Sequence, residues 1–142
     1  MNILVKNNFY AAFTSIGFII GKIKDDLTSM NYNNDKLNEV CLIIDEWVSN
    51  IIKYAYNKDK TKQFFFEAYI KDDNETLVLK FQDSGIEFNP MNYNKTPNYD
   101  VAVEDLPIGG LGIKFIKEIS DSVNYEYTSA NMNQLTIVKI IK

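Results

Sequence analysis

The segments Gln63-Phe-Phe-Phe-Glu-Ala-Tyr-Ile70 and Thr76-Leu-Val-Leu-Lys-Phe81 decide the fold of this chain. Both are rich in aromatic and aliphatic residues, and the polar turn Asp72-Asp73-Asn74 separates them. Short apolar runs that are joined by turn residues predict two strands of an antiparallel hairpin. The rest of the fold is expected to be built on either side of this hairpin.

The first thirty residues predict one strand and one helix. Met1 to Val5 is short and apolar enough for an edge strand. Apolar residues then recur every three or four positions from Ala12 to Leu27. This spacing is typical of an amphipathic helix, so we expect a helix from about Asn8 to Met30.

A second helix is expected between the first helix and the hairpin. One continuous apolar stripe runs from Leu37 to Ala55 at helical spacing. Asn34 or Asp35 precedes the stripe, and both residue types are favourable N-caps. We therefore expect this helix to begin at one of them and to end near Tyr56.

The chain after the hairpin begins with a long segment that has no usable periodicity. Such a segment in a compact domain is usually functional, and we interpret residues 89–109 as a lid. A short helix is expected over Ile113 to Ser120, and two last strands over Val123 to Thr128 and Gln134 to Ile141. Because the helices cluster instead of alternating with strands, the order predicts an α+β two-layer sandwich. Its sheet is expected to be mostly antiparallel and covered by helices on one face, in a single domain over residues 1–142.

Composition excludes several classes of function. The chain contains no histidine and no arginine, so its 15 basic residues are all lysines, and its formal net charge is −4. Histidine-dependent catalytic triads, histidine-ligated metals and an arginine finger within this chain are therefore excluded. An acidic chain without a basic stripe is a poor candidate for nucleic-acid binding.

Two further features concern the environment of the protein. Cys41 is the single cysteine, which excludes an internal disulfide and favours a reducing compartment, with the cytoplasm as the default. The longest apolar stretch near the N-terminus, Phe9 to Ile20, is shorter than the roughly 20 residues that a membrane span needs. We interpret it as a buried helix face and expect no membrane association.

Three short polar motifs could carry chemistry. Glu46, Asn50 and Lys53 fall within one narrow arc of the second helix, opposite the apolar stripe, although a solvated face would look the same. Asp83-Ser84-Gly85 follows a strand, where an aspartate could accept a hydrogen bond from an exocyclic amine or simply form a turn. Gly110-Leu111-Gly112 opens a helix, which suits phosphate binding but also an ordinary loop.

Taken in order, the three motifs resemble the N, G1 and G2 boxes of the histidine kinase-like (GHKL) ATPase superfamily. The resemblance is sharper with one bacterial branch, the anti-sigma regulatory factor serine/threonine protein kinases. It rests on Asp45-Glu-Trp-Val-Ser-Asn-Ile-Ile-Lys-Tyr-Ala-Tyr56, on Asp83-Ser-Gly-Ile-Glu-Phe-Asn-Pro90 and on Ile108-Gly-Gly-Leu-Gly-Ile113. The resemblance implies a Bergerat-type ATP site between the helices and the lid.

The resemblance also implies a role for each motif residue. Asn50 would offer its side-chain oxygen to Mg²⁺, and Glu46 would act as the general base or orient the attacking hydroxyl. Lys53 would lie near the phosphates. The residues that would bind the rest of the ATP molecule are Asp83 at the adenine amino group, Gly85 in its turn, Gly110, Leu111 and Gly112 around the phosphates, and Thr136 in support of the adenine contact.

The function that the resemblance implies is an ATP-binding bacterial regulator of the partner-switching type. It would be a serine/threonine kinase that phosphorylates a small antagonist protein, that could also bind a sigma factor, and that could form a homodimer. Where some relatives place an arginine near the terminal phosphate, this chain offers only Lys95 or Lys114. The alternatives are therefore a catalytically weak or inactive ATP-binding module, the catalytic part of a histidine kinase, and an interaction domain that binds no nucleotide.

Overall fold

Five strands form the sheet of this protein, whose computed structural model describes residues 1–92 and 110–142. The strands are β1 Asn2–Tyr10, β2 Gln63–Ile70, β3 Thr76–Asp83, β4 Ser122–Tyr127 and β5 Asn133–Ile140. They lie in the order β1-β2-β3-β5-β4, and each neighbouring pair is antiparallel. The predicted hairpin is thus β2 and β3, and it occupies the middle of the sheet.

The described helices are α1 Phe13–Ser29, α2 Asn34–Asn50 and α3 Gly110–Ile119. A π-helical turn, Ile51–Ala55, continues directly from α2. The predicted lid lies largely outside the described residues, since residues 93–109 are not among them. None of the helices in the described ranges is both long and apolar enough to cross a membrane.

The helices cover one face of the sheet. Alternate residues of β3, namely Leu77, Leu79 and Phe81, point into a core that they share with Ile19 of α1 and Ile44 of α2. Each such fully buried side chain contributes roughly 1.5–3 kcal/mol to folding. The prediction of an α+β two-layer sandwich is therefore confirmed.

The predicted start of the first helix and the predicted cap of the second are wrong, although α2 begins at Asn34 as expected. Residues 8–10 belong to β1 and not to a helix, because β1 pairs with β2 as far as Tyr10 opposite Gln63. The side chain of Asn33, and not that of Asn34 or Asp35, caps α2: its Oδ1 accepts from the backbone N–H of Asp35 at 2.8 Å. Asn33 is therefore the N-cap that satisfies the free amides of the first turn, and α2 begins at the next residue, Asn34.

A buried lysine joins α2, α3 and β5. Lys139 of β5 is only 3% exposed, and its ammonium group pairs with the Glu39 carboxylate of α2 and donates to the Ile119 carbonyl at the end of α3. A buried ammonium group is tolerated only where it is paired and hydrogen-bonded. This contact helps to hold α3 against the sheet, beside the site described next.

Candidate functional site

A cavity of about 220 Å³ opens between the C-terminal end of α2 and the end of β3. Its walls are mainly apolar, with Trp47, Ile51 and Phe88 among them. Five side chains with polar groups also line it: Asn50, Tyr54, Asp83, Glu87 and Asn133. Ile86 also lines it and is 80% exposed, so this apolar side chain is available to a ligand. An apolar pocket with a few convergent polar groups is the usual form of a small-molecule site.

Asp83 is the buried acidic group of this cavity: it is 4% exposed at the last position of β3, whereas Glu87, which also lines the cavity, is exposed. Its Oδ1 accepts from the backbone N–H of Gly85 at 2.9 Å and from Asn133 Nδ2 at 3.0 Å. Burial raises the pKa of the Asp83 carboxyl, while these two hydrogen bonds act in the opposite direction. Among the described residues, no hydrogen bond uses the second oxygen, Oδ2, which leaves it available as an acceptor.

Asn133 is a site residue that the sequence reasoning missed. It begins β5 directly opposite Asp83 in the β3–β5 ladder and is 5% exposed. The prediction that Thr136 supports the adenine contact is corrected by the structure. Thr136 is partly exposed, does not line the cavity, and lies on the face of the sheet opposite to that of Asn133. Side chains alternate along a strand, so Asn133 lies on the same buried face of β5 as Leu135 and Ile137. This alternation is the sequence signal that could have identified Asn133.

The turn after Asp83 packs tightly against the π-helical turn. A Cβ atom built on Gly85 would lie 2.7 Å from Ala55 Cβ and 2.9 Å from the Ala55 carbonyl oxygen, so only glycine fits there. The buried Tyr56 side chain adds a second link, because its hydroxyl accepts from the Ser84 backbone N–H at 2.8 Å and donates to the Gln63 carbonyl at 2.6 Å. These contacts fix the position of Asp83 relative to α2.

Asn50 is the last residue of α2 and lies where the helix changes to π-helical hydrogen bonding. Such π-bulges are frequent at functional sites. The Nδ2 atom of Asn50 is buried and has no hydrogen-bond partner among the described residues. Because a buried amide without a partner costs free energy, its position in the cavity wall points to a ligand as the missing partner.

Glu46 lies one helical turn before Asn50, and its carboxylate faces the start of α3. A Cβ atom on Gly112 would collide with Glu46 Oε2, so the glycine allows the carboxylate to approach the helix backbone. Burial, followed by the neighbouring Asp45, raises the pKa of Glu46, and the Lys53 ammonium partly counteracts this. A carboxylate whose pKa moves toward neutrality is better suited to accept a proton.

The structure therefore brings together most of the residues named from the sequence. Asn50 and Asp83 line the cavity, and Gly85 packs against Ala55 in its wall. Glu46 and Gly112 lie against each other and are not among the lining residues. Lys53 is exposed on the π-helical turn. Gly110 is the first residue of α3, but the side-chain surroundings of Gly110 and Leu111 lie outside the described part, as does Lys95.

The residues present fit a magnesium nucleotide. Asp83 offers an acceptor in an apolar slot, which suits an amino-substituted base, and Asn50 supplies a buried amide that needs a partner. Within residues 1–92 and 110–142, no group of three acidic, cysteine or histidine side chains could hold a metal alone. The unpartnered Nδ2 of Asn50 is a donor that would suit a phosphate oxygen, whereas its Oδ1 is the atom that would hold Mg²⁺, which commonly binds through one or two protein oxygens together with phosphate oxygens and waters.

This arrangement of fold and cavity agrees with the class of histidine kinase-like ATPase domains. Residues 21–139 match the family described as the histidine kinase-like ATPase domain, and the chain belongs to this family.

Its curated relatives confirm the resemblance to the anti-sigma regulatory kinases. The serine-protein kinase RsbW of Bacillus cereus (strain Q1) is 29% identical over 97 residues, which are 66% of this chain and 59% of that protein. RsbW of Bacillus subtilis (strain 168) is 20% identical over 114 residues, 78% of this chain and 70% of the relative. The chain thus spans about six-tenths of the length of the Bacillus cereus relative.

Two solved structures share the fold. One contains the RsbU and RsbW domains of a Mycobacterium tuberculosis protein, with a TM-score of 0.66, 9% identity, and coverage of 96% of this chain and 31% of that chain. The other is the SiaB–SiaC complex of Pseudomonas aeruginosa, with a TM-score of 0.66, 14% identity, and coverage of 99% and 91%. At these identities the likeness concerns the fold alone.

Proposed function

We propose that this protein is a magnesium-dependent ATP-binding regulator that phosphorylates a serine or threonine of a small antagonist protein. The observation that carries the nucleotide part is the cavity in which Asp83, with an unused carboxylate oxygen, and Asn50, with an unpartnered amide, lie on walls that are otherwise mainly apolar. The kinase part is supported by the serine-protein kinases among its relatives.

In this proposal the base of ATP lies at Asp83 and the phosphates lie toward Glu46 and the start of α3. Asp83 Oδ2 accepts from the amino group of adenine, and Gly85 keeps the turn narrow. Asn50 provides an oxygen ligand for Mg²⁺, and Lys53 adds positive charge near the phosphates. The first amides of α3, which begins at Gly110, have no partner within the helix and therefore suit phosphate oxygens. Thr136 has no part in this assignment.

Glu46 is the proposed general base of phosphoryl transfer. The hydroxyl oxygen of the substrate forms a bond to the terminal phosphorus, the bond from that phosphorus to the bridging oxygen of ADP breaks, and Glu46 accepts the hydroxyl proton. The raised pKa of Glu46 favours this role, because the proton is then held more strongly by the carboxylate. The reaction depends mainly on positioning and charge neutralisation, which Mg²⁺ supplies when bound.

A melting experiment tests the nucleotide part first. The protein is heated with and without magnesium ADP at about one hundred times its dissociation constant, where binding stabilises the folded state by about 2.7 kcal/mol. We expect the melting temperature to rise by several degrees. An unchanged melting temperature at saturating ADP would contradict the proposal and leave an interaction domain without a nucleotide.

The metal role of Asn50 is tested with the same measurement. Replacing Asn50 by Ala removes the side-chain oxygen that we assign to Mg²⁺. In this variant, ADP should raise the melting temperature by the same amount in magnesium as in EDTA. Asn38→Ala is the matched control, since Asn38 is an exposed residue near the other end of α2. A magnesium-dependent shift that survives in the Asn50 variant would rule out this ligand assignment.

A second function, nucleotide-dependent binding of a partner without turnover, is favoured by the absence of arginine. Lys114 is exposed on α3, and a lysine provides a point charge but not the planar fork of an arginine at the terminal phosphate. Mass spectrometry of a candidate antagonist after incubation with magnesium ATP separates the two functions. A phosphoserine or phosphothreonine on the antagonist supports the kinase, whereas nucleotide-dependent binding without phosphate transfer supports the module.

The remaining parts of the proposal concern partners and location. As the motif resemblance implies, the protein would exchange between the antagonist and a sigma factor, could form a homodimer, and would act in the cytoplasm as one domain. Size-exclusion chromatography with light scattering tests the homodimer directly. A monomeric mass at micromolar concentration would remove it from the proposal.

A further inference from the structure

Asn133 makes more hydrogen bonds than any other described side chain of the cavity, and no part of the proposed chemistry has yet used it. Its Nδ2 donates to Asp83 Oδ1 at 3.0 Å, to the Ile86 carbonyl at 2.9 Å and, more weakly, to the Gly85 carbonyl at 3.3 Å. Its Oδ1 accepts from the Phe88 N–H at 3.0 Å. One side chain thus connects the acidic group of the cavity to the loop that follows it.

The orientation of this amide is determined by its partners. If the Asn133 amide were reversed, its carbonyl oxygen would face the Asp83 carboxylate and the Ile86 carbonyl, both of which are acceptors. Its NH₂ group would then face the Phe88 N–H, which can only donate. The hydroxyl of Tyr125 on β4 adds a further donor to Oδ1 at 2.5 Å. Only one orientation of the amide therefore satisfies all of these groups.

The consequence for Asp83 is that its two carboxylate oxygens become different. Oδ1 is occupied by the Gly85 N–H and by Asn133 Nδ2, and the carboxylate can rotate only by breaking both bonds. Oδ2 has no partner among the described residues and belongs to a side chain that lines the cavity. Oδ2 therefore presents to a ligand an acceptor whose position is fixed.

We propose that Asn133 is a positioning residue that sets the base selectivity of the site, by fixing Asp83 so that one oxygen accepts from an amino group at carbon 6 of a purine. This inference rests on the proposed nucleotide function. A fixed acceptor favours adenine, which carries an amino group at that carbon, and repels hypoxanthine, which carries a carbonyl oxygen there. Selectivity arises because a buried polar group without a partner costs more than a hydrogen bond gains.

The test compares ADP with inosine diphosphate by titration calorimetry; the two nucleotides differ at carbon 6 and in the proton that inosine carries on the neighbouring N1. The wild-type protein should bind ADP at least about tenfold more tightly than inosine diphosphate, the factor expected for one hydrogen bond to a charged group. In Asn133→Ala the Asp83 carboxylate can turn and be hydrated. The affinity for ADP should then fall about tenfold while that for inosine diphosphate changes little, so the ratio approaches one.

A second variant keeps the test valid if Asn133→Ala does not fold. Asn133→Asp is nearly isosteric but replaces the amide donor with a carboxyl group. The new carboxyl group can donate a hydrogen bond to Asp83 only while the two carboxyl groups share one proton. Binding of ADP to this variant should weaken as the pH rises, whereas the wild-type protein should lose ADP as the pH falls and Asp83 becomes protonated. Asn131→Asp, at an exposed turn position two residues away, is the matched control with the same change of charge.

Other titratable groups near Asp83 do not produce this reversal. The described ones are Tyr125 and Tyr127 on β4, Glu87 in the loop and Tyr54 on the opposite wall of the cavity. Burial raises the pKa of Tyr125, which therefore stays protonated in the range of the experiment. All four are present in the wild-type protein and in both variants. A reversal in the pH dependence of ADP affinity is therefore caused by the substitution at position 133.

The outcomes separate the inference from the function on which it rests. A ratio that collapses in Asn133→Ala, or a reversed pH trend in Asn133→Asp, supports the positioning role. Equal losses of affinity for both nucleotides, with an unchanged pH trend, would mean that Asn133 only holds the loop, and would overturn the inference while leaving ATP binding intact. A wild-type protein that binds neither nucleotide would overturn the proposed function and this inference together.

Discussion

The two ends of the cavity are built differently. At the base end, which comprises Asp83, Gly85 and Asn133, the protein satisfies its own polar groups, with a single carboxylate oxygen left over. At the proposed phosphate end, which comprises Asn50 of the cavity wall and the neighbouring Glu46 and Gly112, a buried amide nitrogen has no partner among the described residues, and the Glu46 carboxylate lies against the start of α3. The base end is complete without a ligand, whereas the phosphate end is arranged for groups that a ligand must bring.

This difference assigns distinct tasks to the two ends. A rigid, satisfied surface gives selectivity, because a ligand of the wrong pattern cannot rearrange it. Unsatisfied polar groups in a partly buried position instead favour binding of charge, and the magnesium phosphate group has the charge and oxygens that they need. Changes at the phosphate end should therefore affect catalysis, and changes at the base end should affect affinity and stability.

The largest effect is expected from Glu46→Gln, measured as the rate of phosphate transfer to a candidate antagonist. The amide cannot accept the hydroxyl proton, so the rate should fall about 10²- to 10⁴-fold. The wild-type rate should also decrease as the pH falls through the raised pKa of Glu46, and the variant should lack this acidic limb. The affinity for ADP should not change in the variant.

Glu118→Gln is the control for this variant, because it makes the same chemical change at an exposed carboxylate near the C-terminal end of α3. A transfer rate close to that of the wild-type protein in Glu46→Gln would remove the base role and favour the module without turnover. A loss of ADP affinity equal to the loss of rate would instead place Glu46 among the binding groups and weaken the contrast between the two ends.

The next effect is expected from Asp83→Asn at the base end. The amide oxygen can keep the bonds from Gly85 and Asn133, but its NH₂ group then faces the adenine amine, so ADP affinity should fall about tenfold to a hundredfold. Burial raises the pKa of Asp83 in the folded state, so the folded protein binds this proton more tightly than the unfolded chain does. The ionised group therefore lowers stability as the pH rises through the folded pKa.

The direction of this pKa shift predicts how the stability of the unliganded protein depends on pH. At pH 8 Asp83→Asn should melt at or above the wild-type temperature, and the difference should shrink on acidification, as differential scanning fluorimetry can measure. A variant that melts well below the wild-type protein at every pH would show that the carboxylate stabilises the turn. The base end would then not be complete without its charge.

The same contrast explains which parts could be predicted from sequence. The β2–β3 hairpin depends on local composition and a polar turn, and its strands begin where they were predicted. The motifs around Glu46 and Asp83 depend on order along the chain and also lie at the cavity. The support of Asp83 depends on strand alternation and on ladder register across a sheet, which is why Asn133 was missed in favour of Thr136.

One local error, in β1, and one feature that no pattern indicated, the π-helical turn, have the same physical origin. The polar residues Asn7 and Asn8 hide a strand, because β1 lies at an edge of the sheet and leaves these side chains exposed. The π-helical turn Ile51–Ala55 continues the apolar pattern of α2 without a sequence signal, since it differs only in which backbone groups are bonded. Patterns report which face is buried more reliably than how the backbone is bonded.

A smaller effect, on stability, is expected from Gly85→Ala. The added methyl group would meet the backbone of Ala55 at 2.9 Å, where it cannot be accommodated by a side-chain rotation. The free energy of unfolding should decrease by about 1–3 kcal/mol, as for other cases of overpacking, and ADP affinity should decrease with it because the turn carries Asp83. Urea denaturation followed by tryptophan fluorescence measures the first quantity.

Gly17→Ala is the matched control, since Gly17 is an exposed residue within α1 and a Cβ atom there meets nothing within 4 Å. It should stabilise the protein by about 0.5–1 kcal/mol, the difference in helix propensity between the two residues. If both variants behaved alike, the contact between Gly85 and the π-helical turn would not matter, and the base end would not be the rigid one.

The smallest effect is expected from Lys53→Gln at the phosphate end. Lys53 is exposed, so its attraction to a phosphate is screened by water and should contribute only about 0.2–1 kcal/mol, which is less than about sixfold in affinity for ATP. The loss should be largest at low salt and should vanish as salt shortens the range of the interaction. Lys24→Gln, on an exposed face of α1, should leave the affinity unchanged. A salt-independent loss greater than tenfold would show that Lys53 binds the phosphates directly and that the phosphate end carries a fixed cation of its own.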